Sequence, residues 1–374
     1  MRKEVLYATS TLIGTIIGAG VLGIPYVVAK SGFLLGFLNI AILTFAVLMI
    51  HLYYGEVVLR TKGHHQLSGY AGKYLGKWGK RIATFSLIFG IYGALIAYII
   101  GEGDVLSAIF GVSPLFASVL FFIFASAIVY AGLKTISRFD FYLMSVAIIF
   151  CLTICAFLIP KVSLANLSTI DVSYAFYPFG VVLFALIGMS AVPEVHSILA
   201  HDQKYFKRAI MFGVLFSAVF YMIFAFVVVG ALGTGTTDVA TIGIGLATSP
   251  TMIIFANLFA VLVMATSFLS LGIALTDMYH YDFKFHRFAA FALSCIVPLV
   301  LFLIGVKNFI STIAIAGAMT GGLDSILITL MFWKAKKHGD REPEYELHKS
   351  KLFGIVLILV FVLGAAYQAY TMIK

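Results

Sequence analysis

The sequence predicts an all-α integral membrane protein: eleven transmembrane helices, arranged as a five-plus-five inverted repeat with broken helices 1 and 6, plus one extra helix. Three observations predict it. Of 374 residues, 62% are hydrophobic and 11% charged, against about 45–50% and about 25% in soluble domains, and the mean hydropathy is +1.07. So few charges cannot solvate the surface of a soluble fold of this length, which excludes a water-soluble enzyme. Second, the apolar residues come in long blocks rather than in the alternating ten-residue strands of a spanning barrel, and a helix closes its own backbone hydrogen bonds in lipid. Third, two of the blocks are interrupted at mid-span by glycine and proline, and they stand five blocks apart.

A hydrocarbon core of about 30 Å needs about 20 apolar residues per helix. The first block, 5–30, is too long for the apolar region of a signal peptide and no small-x-small cleavage site follows, so it is a retained helix. The second, 33–59, holds His51 as a packing group and Glu56 near its end, where a gate or cap residue belongs. Residues 61–81 mix Leu67, Tyr70, Tyr74, Leu75 and Trp78 with cations, the pattern of a short amphipathic helix at the interface. The third block, 82–101, carries Gly90, Tyr92, Gly93 and Tyr98; the fourth is 115–133 and the fifth, 141–160, contains no lysine. The sixth, 178–200, is the second interrupted block. The seventh, 209–232, and eighth, 250–276, follow, the eighth ending beside Asp277, a further gate or cap residue. The ninth is 288–305, the tenth, 309–333, holds Asp324, and the eleventh is 352–373. Cys151, Cys155 and Cys295 all lie inside apolar blocks and read as small hydrophobes rather than as a disulfide frame or metal site.

The cations set the topology. With the amino terminus in the cytoplasm, 21 of the 25 Lys and Arg residues fall in cytoplasmic segments, from Arg2 and Lys3 through Lys134 and Arg138 to Lys349 and Lys351. Lys30, Lys161, Lys307 and Lys374 remain outside. This is the positive-inside distribution, and one miscounted helix would scramble it. The formal net charge of +9 is therefore a topology signal. No basic face interleaved with aromatics is left over for nucleic acid.

In the first block, Gly14-Thr15-Ile16-Ile17-Gly18-Ala19-Gly20-Val21-Leu22-Gly23-Ile24-Pro25 places four glycines and a proline at mid-span. In the sixth, Phe184-Ala185-Leu186-Ile187-Gly188-Met189-Ser190-Ala191-Val192-Pro193-Glu194 does the same with Gly, Ser and Pro. Each has a structural reading, a small-residue packing face for the first and a proline kink for the second. Together they open two runs of five helices, and an odd repeat length inverts the second copy. Interrupted helices at corresponding positions of two halves point to a transporter's binding site, because free backbone groups at that depth need protein, ligand or ion to satisfy them. Pro193 suits the first turn of a resumed helix, where its missing N–H costs nothing.

Residues 14–26, followed by Ser31-Gly32-Phe33, resemble the first-helix signature of the amino acid permeases. The likeness is to the amino acid/auxin permease and hydroxy/aromatic amino acid permease branches of the amino acid–polyamine–organocation superfamily. Phe184 to Glu194 resembles the sixth-helix motif, and Ala265-Thr266-Ser267-Phe268-Leu269-Ser270-Leu271-Gly272 the eighth. The resemblance implies the LeuT-like fold and substrate–cation transport by alternating access. It assigns the substrate carboxylate to the amides of Gly18, Ala19 and Gly20, an anion site made of orphan donors and a helix dipole. Carbonyls of Ile17, Ile187, Gly188 and Ser190 would accept from the substrate ammonium, with Phe184 as an aromatic lid and Tyr92 or Gly93 lining the pocket. Thr266 and Ser267 would close a Na⁺ site with carbonyls near Gly14 and Ile17. Some proton-coupled relatives place a lysine in helix 5, and its absence here leans toward Na⁺; Glu194 and Asp324, acids deep in helices, are the candidates for proton relay or gating.

The expected function is secondary active transport of a neutral, aromatic or hydroxy amino acid. No cofactor is expected beyond the coupling ion, Na⁺ or H⁺, and the partners are the amino acid, the cation and the bilayer, with the monomer as working unit. The chain forms one domain with repeats at 1–160 and 175–333 and the additional helix at 351–373. A prokaryotic cell membrane, amino terminus inside and carboxyl terminus outside, is its expected place. A non-transporting amino acid sensor on the same fold is the alternative. An intramembrane aspartyl protease is the weaker one: Gly101-Glu102-Gly103-Asp104 and Tyr281-Asp282 supply its motifs, but Asp104 and Asp282 fall on opposite faces of the bilayer and cannot share a water.

Overall fold

The computed structural model describes residues 3–131 and 136–373; Arg2, Lys134 and Lys374 of the cation pattern lie outside the described residues. The first span is broken as its glycines predict. Helix α1 (Lys3–Ile16) ends, Ile17 to Ala19 leave the helical path, and α2 (Gly20–Ser31) resumes at 56° to it. Next come α3 (Phe33–Leu59) and α4 (Leu67–Phe110). The amphipathic start of α4 buries Leu67, Tyr70 and Tyr74 and turns into the span at Gly76, whose φ of +76° is open to glycine at little strain. Helices α5 (Pro114–Ala131) and α6 (Ile136–Leu158) complete five spans, and the one-turn α7 (Leu164–Leu167) lies in the following loop.

The sixth span breaks in turn. Helix α8 (Phe179–Leu186) stops where Ile187 turns extended, with ψ of 122°, and α9 (Val192–Ile198) restarts with Pro193 in its first turn. Then follow α10 (Phe206–Leu232), the short loop helix α11 (Ala240–Ala247) and α12 (Pro250–Asp277). The ninth span is α13 (Arg287–Phe291) and α14 (Val297–Leu303), and the tenth is α15 (Phe309–Ala316) and α16 (Gly322–His338), each pair joined by a π-helical turn. Helix α17 (Lys351–Ile373) is the eleventh. The expected boundaries hold to within a few residues except for α4, and the π turns were not foreseen.

Small residues bring the broken spans together. A Cβ on Gly20 would stand 2.5 Å from the Ala185 Cβ, and one on Gly188 2.6 Å from Ile16 Cγ1. Gly180 lies against the Ala314 backbone and Gly317 against Phe184. Such close approach is what holds helices together where lipid offers no hydrophobic drive between them. Large apolar side chains such as Ile42, Phe45, Phe124, Ile149, Phe212 and Leu363 instead point outward on their spans. In a bilayer that outward face is solvated by hydrocarbon.

Because the spans alternate, residues 60–66, 199–205 and 339–350 share one face of the bundle with the amino terminus, and 111–113, 159–178 and 233–249 share the opposite one. A strap, residues 339–350, crosses the N-terminal face. It is pinned by Tyr345, which donates to the Leu52 carbonyl at 2.7 Å, and by the Asp340 N–H to the Arg60 carbonyl at 2.7 Å. Beneath it, fully buried Glu56 pairs with Arg60 at 2.8 Å and Lys336 at 3.0 Å and accepts the Leu347 N–H at 2.7 Å. At the strap's surface, hydrogen bonds from Lys73 hold Asp340, and from Lys336 hold Glu346, below the usual carboxylate range. Depressed carboxylates stabilise above their ordinary titration range, so these outer ties are complete at neutral pH and are lost only in acid.

Candidate functional site

The two breaks lie side by side near the middle of the bundle. Among the described residues, the amides of Gly18, Ala19 and Gly20 have no backbone acceptor, whereas the next two amides return to the Gly18 and Ala19 carbonyls at 3.2 and 3.0 Å. Ala19, the N-cap of α2, makes no side-chain cap. Three donors at the positive end of a twelve-residue helix are thus available to an anion. Tyr98 of α4 and Ser267 of α12, hydrogen-bonded to each other, close the third side: a Cβ on Gly18 would have the Ser267 Oγ and the Tyr98 Oη each at 3.6 Å.

The acceptor ends of α1 and α8 are tied by one residue. Tyr221, fully buried on α10, places its hydroxyl 2.7 Å from the Ile16 carbonyl and 2.9 Å from the Ala185 carbonyl. One O–H proton shared by two carbonyls fixes the spacing of both half-helices and leaves the carbonyls of Ile17, Ile187 and Gly188 as the remaining acceptors near the breaks. Gly188 also receives the Ala191 N–H at 3.1 Å, which closes the short 3₁₀ turn before α9.

The other predicted residues fall out as follows. Ile17 is buried at the first break, and Gly14 has open space where a side chain would be. Phe184 is half-buried against Gly317 in the π turn of the tenth span. Thr266 donates to the Leu262 and Val263 carbonyls at 2.8 and 3.2 Å, which leaves its oxygen lone pairs free, while the neighbouring Ser267 faces the break. Asp324 is buried and bonded to Ser86.

Three expectations need correction. Tyr92 does not open onto the breaks: its hydroxyl pairs with that of Tyr279 at 2.9 Å and donates to the Leu293 carbonyl at 3.0 Å, bracing α4 against the eighth and ninth spans. Six residues is about 120° from a full number of turns, so the helix cannot present both Tyr92 and Tyr98 to one site. Gly93 is packing, with Ala316 pressed against it. Glu194 is not deep; the bend exposes it, and with Ser190, Pro193, Ser197, His64, His65 and Gln66 it lines a cleft of about 360 Å³ on the N-terminal face.

The opposite face is shut over α2. Asp238, in the loop before α11, is hydrogen-bonded to Tyr26 and, at 3.4 Å, accepts from Asn308; Tyr26 is bonded in turn to Tyr177. Burial pushes the Asp238 carboxyl up, against the pull of those two hydrogen bonds. The arrangement is therefore a two-break seat whose Ser190 side borders open space and whose α2 side is roofed.

Comparison with known proteins bears on this geometry. The description of the tryptophan/tyrosine permease family matches residues 1–368. "Glutamine transporter 2" of Aliivibrio fischeri is 24% identical over 388 residues, covering 96% of this chain and 99% of that protein. "Tyrosine-specific transport system 1" of Haemophilus influenzae is 28% identical, covering 96% and 94%, and the "Tryptophan-specific transport protein" of Shigella flexneri 24%, covering 94% and 91%. Among solved structures, MhsT in complex with L-phenylalanine superposes with a TM-score of 0.70 at 17% identity, covering 98% of each chain. At that identity the likeness speaks for the fold alone, and the fold is the LeuT-like one expected.

Proposed function

The chain belongs to the tryptophan/tyrosine permease family, and on that premise we propose that it moves a neutral amino acid, aromatic or hydroxylated, across a prokaryotic cell membrane by alternating access, coupled to a cation. The observation that carries this reading is the uncapped start of α2 beside the carbonyl ends of α1 and α8. A zwitterion matches both: its carboxylate meets the amides of Gly18, Ala19 and Gly20, and its ammonium the carbonyls of Ile17, Ile187 and Gly188. Neither charge requires an ionised side chain in the hydrocarbon core. The side chain then extends toward Phe184, Tyr98 and the third and tenth spans.

Alternating access follows from the same parts. The two repeats, 1–160 and 175–333, rock about the seat while the cluster of Asp238, Tyr26 and Asn308 closes one face and the Ser190–Glu194 cleft opens the other. The coupling cation is Na⁺, held by carbonyls near Gly14 and Ile17 with the hydroxyls of Thr266 and Ser267, or H⁺. The protein works as a monomer. The N-terminal face is cytoplasmic, so a cysteine placed after Lys374 should react with an impermeant reagent in intact cells; protection of that cysteine would overturn the orientation.

Analogue binding to the purified protein tests the seat. Removing the substrate carboxylate, as in tryptamine or tyramine, leaves three buried amides without an acceptor and should weaken binding by about 2–4 kcal/mol, roughly 30-fold to 1,000-fold. Amines that compete as well as the amino acids would contradict the assignment.

A further inference from the structure

One buried acid has no part in the seat as described. Glu102 of α4 is fully buried, and neither carboxylate oxygen has a hydrogen-bond partner of normal geometry among the described residues. The backbone of Ala265 on α12 is the polar group brought against it. Helices α5, α11, α12, α14, α15 and α16 all pack on α4. On α5, α11, α14 and α15 there is no Asp, Glu, His, Lys or Arg; α12 has Asp277 alone, at its far end, and the nearest on α16 is Asp324, which is bonded to Ser86 in the half of the bundle toward the N-terminal face. On α4 itself, Asp104 lies two residues on, about 200° round the helix, and interacts with Asp238 of the roof. Among the described residues no cation compensates Glu102. An ionised carboxylate there would be stranded, and a proton neutralises it in place without the further ligands a metal ion needs.

Its position gives that proton a use. Glu102 stands one turn, about 6 Å, beyond Tyr98 on the same helix, toward the roofed face. Tyr98 in turn is hydrogen-bonded to Ser267, and its hydroxyl lies 3.6 Å from where a Cβ on Gly18 would stand. Ala265, which faces Glu102, immediately precedes Thr266 and Ser267 on α12. The acid is thus coupled through two rigid helices to both the amide donors and the hydroxyl pair, yet separated from the cleft on the N-terminal face by the seat itself. Any rocking that opens the roof exposes it to that side, and any rocking that opens the cleft exposes it only past the substrate.

We infer that Glu102 is the group that binds and releases the coupled proton, one helical turn from the amino acid seat. The inference rests on the two breaks being the substrate seat. In each cycle a carboxylate oxygen of Glu102 takes one proton from the side on which the roof opens, the neutral acid crosses with the loaded seat, and the same proton leaves to the other side.

The test uses full-length protein in proteoliposomes free of sodium, with the best accumulated of labelled tryptophan, tyrosine, serine, alanine and glutamine. A one-unit pH gradient supports about a ten-fold accumulation per proton. The wild-type protein should reach it. Glu102→Gln, a neutral isostere, should lose that accumulation and bind substrate with the same affinity across pH 5 to 9, while still exchanging labelled for unlabelled substrate. Glu102→Asp should restore accumulation with a displaced pH profile. Accumulation retained in Glu102→Gln would overturn the inference. So would loss of binding and exchange along with accumulation, which marks a structural role. Wild-type uptake that needs Na⁺ and ignores pH would overturn the proton site and leave the transporter reading standing; a wild-type protein that neither binds nor exchanges any of the five amino acids would overturn both.

Discussion

Gly18→Leu is expected to abolish substrate binding, a loss of at least about 3 kcal/mol or roughly 100-fold in affinity, while leaving membrane insertion and thermal stability near wild type. The backbone at Gly18 is not in the left-handed region, and a Cβ there meets only two hydroxyl oxygens at 3.6 Å, an ordinary contact. The remaining carbons of a leucine must then enter the space between the amides, Ser267 and Tyr98. They occupy the carboxylate's place without filling a packed interface. Gly20 makes a poorer test. A side chain there collides with the Ala185 backbone, so Gly20→Leu should disrupt the contact between the first and sixth spans and lose binding for reasons of folding. Substrate binding by the Gly18→Leu protein within a few-fold of wild type would remove the backbone anion site from the account.

Glu56→Ala is expected to cost about 3–5 kcal/mol of stability, because it removes one partner of a buried ionic cluster and leaves the others behind. Arg60 and Lys336, both with side chains about one-tenth exposed, lose their shared carboxylate, and the Leu347 N–H loses its acceptor. Glu346, which is exposed and already pairs with both cations, is left as a single carboxylate for the two of them. The strap should then detach, which lowers the melting temperature in detergent and admits protease between residues 339 and 350. Glu56→Gln keeps the acceptor for Leu347 and should fall between. A melting temperature unchanged in Glu56→Ala would show that the strap does not depend on this cluster.

Much of this architecture is legible before any coordinates. The spans are read easily because a bilayer demands a fixed length of apolar helix, and the breaks because glycine and proline advertise them; 33–59 coincides with α3 to the residue. Gly18, Ala19, Gly20, Ile187 and Gly188 follow from the breaks and lie together. What could not be read is rotation about the helix axis. Nineteen tyrosines offered no way to choose Tyr98 over Tyr92, or to single out Tyr221 as the tie between two carbonyl ends. Glu194 falls inside the sixth block, but the sequence of that break does not fix the direction in which the helix resumes, and the turn at Gly188 carries it to the cleft. Glu102 was visible only as part of a Gly-Glu-Gly-Asp string, and its isolation is a property of six neighbouring helices that carry no nearby charge. The π turn of the tenth span has no signature beyond Gly317 and Gly321, and that of the ninth, Ala292–Ile296, contains no glycine.

The central claim is that this chain accumulates amino acids by coupling them to a cation. Its most direct measurement is uptake of labelled tryptophan, tyrosine, serine, alanine and glutamine into proteoliposomes containing only the purified protein, with Na⁺ and pH gradients imposed separately. The account predicts saturable accumulation of at least one of the five above its external concentration under one gradient, collapsing when an ionophore dissipates it. Binding without accumulation under either gradient would contradict the account and identify a sensor on the same fold.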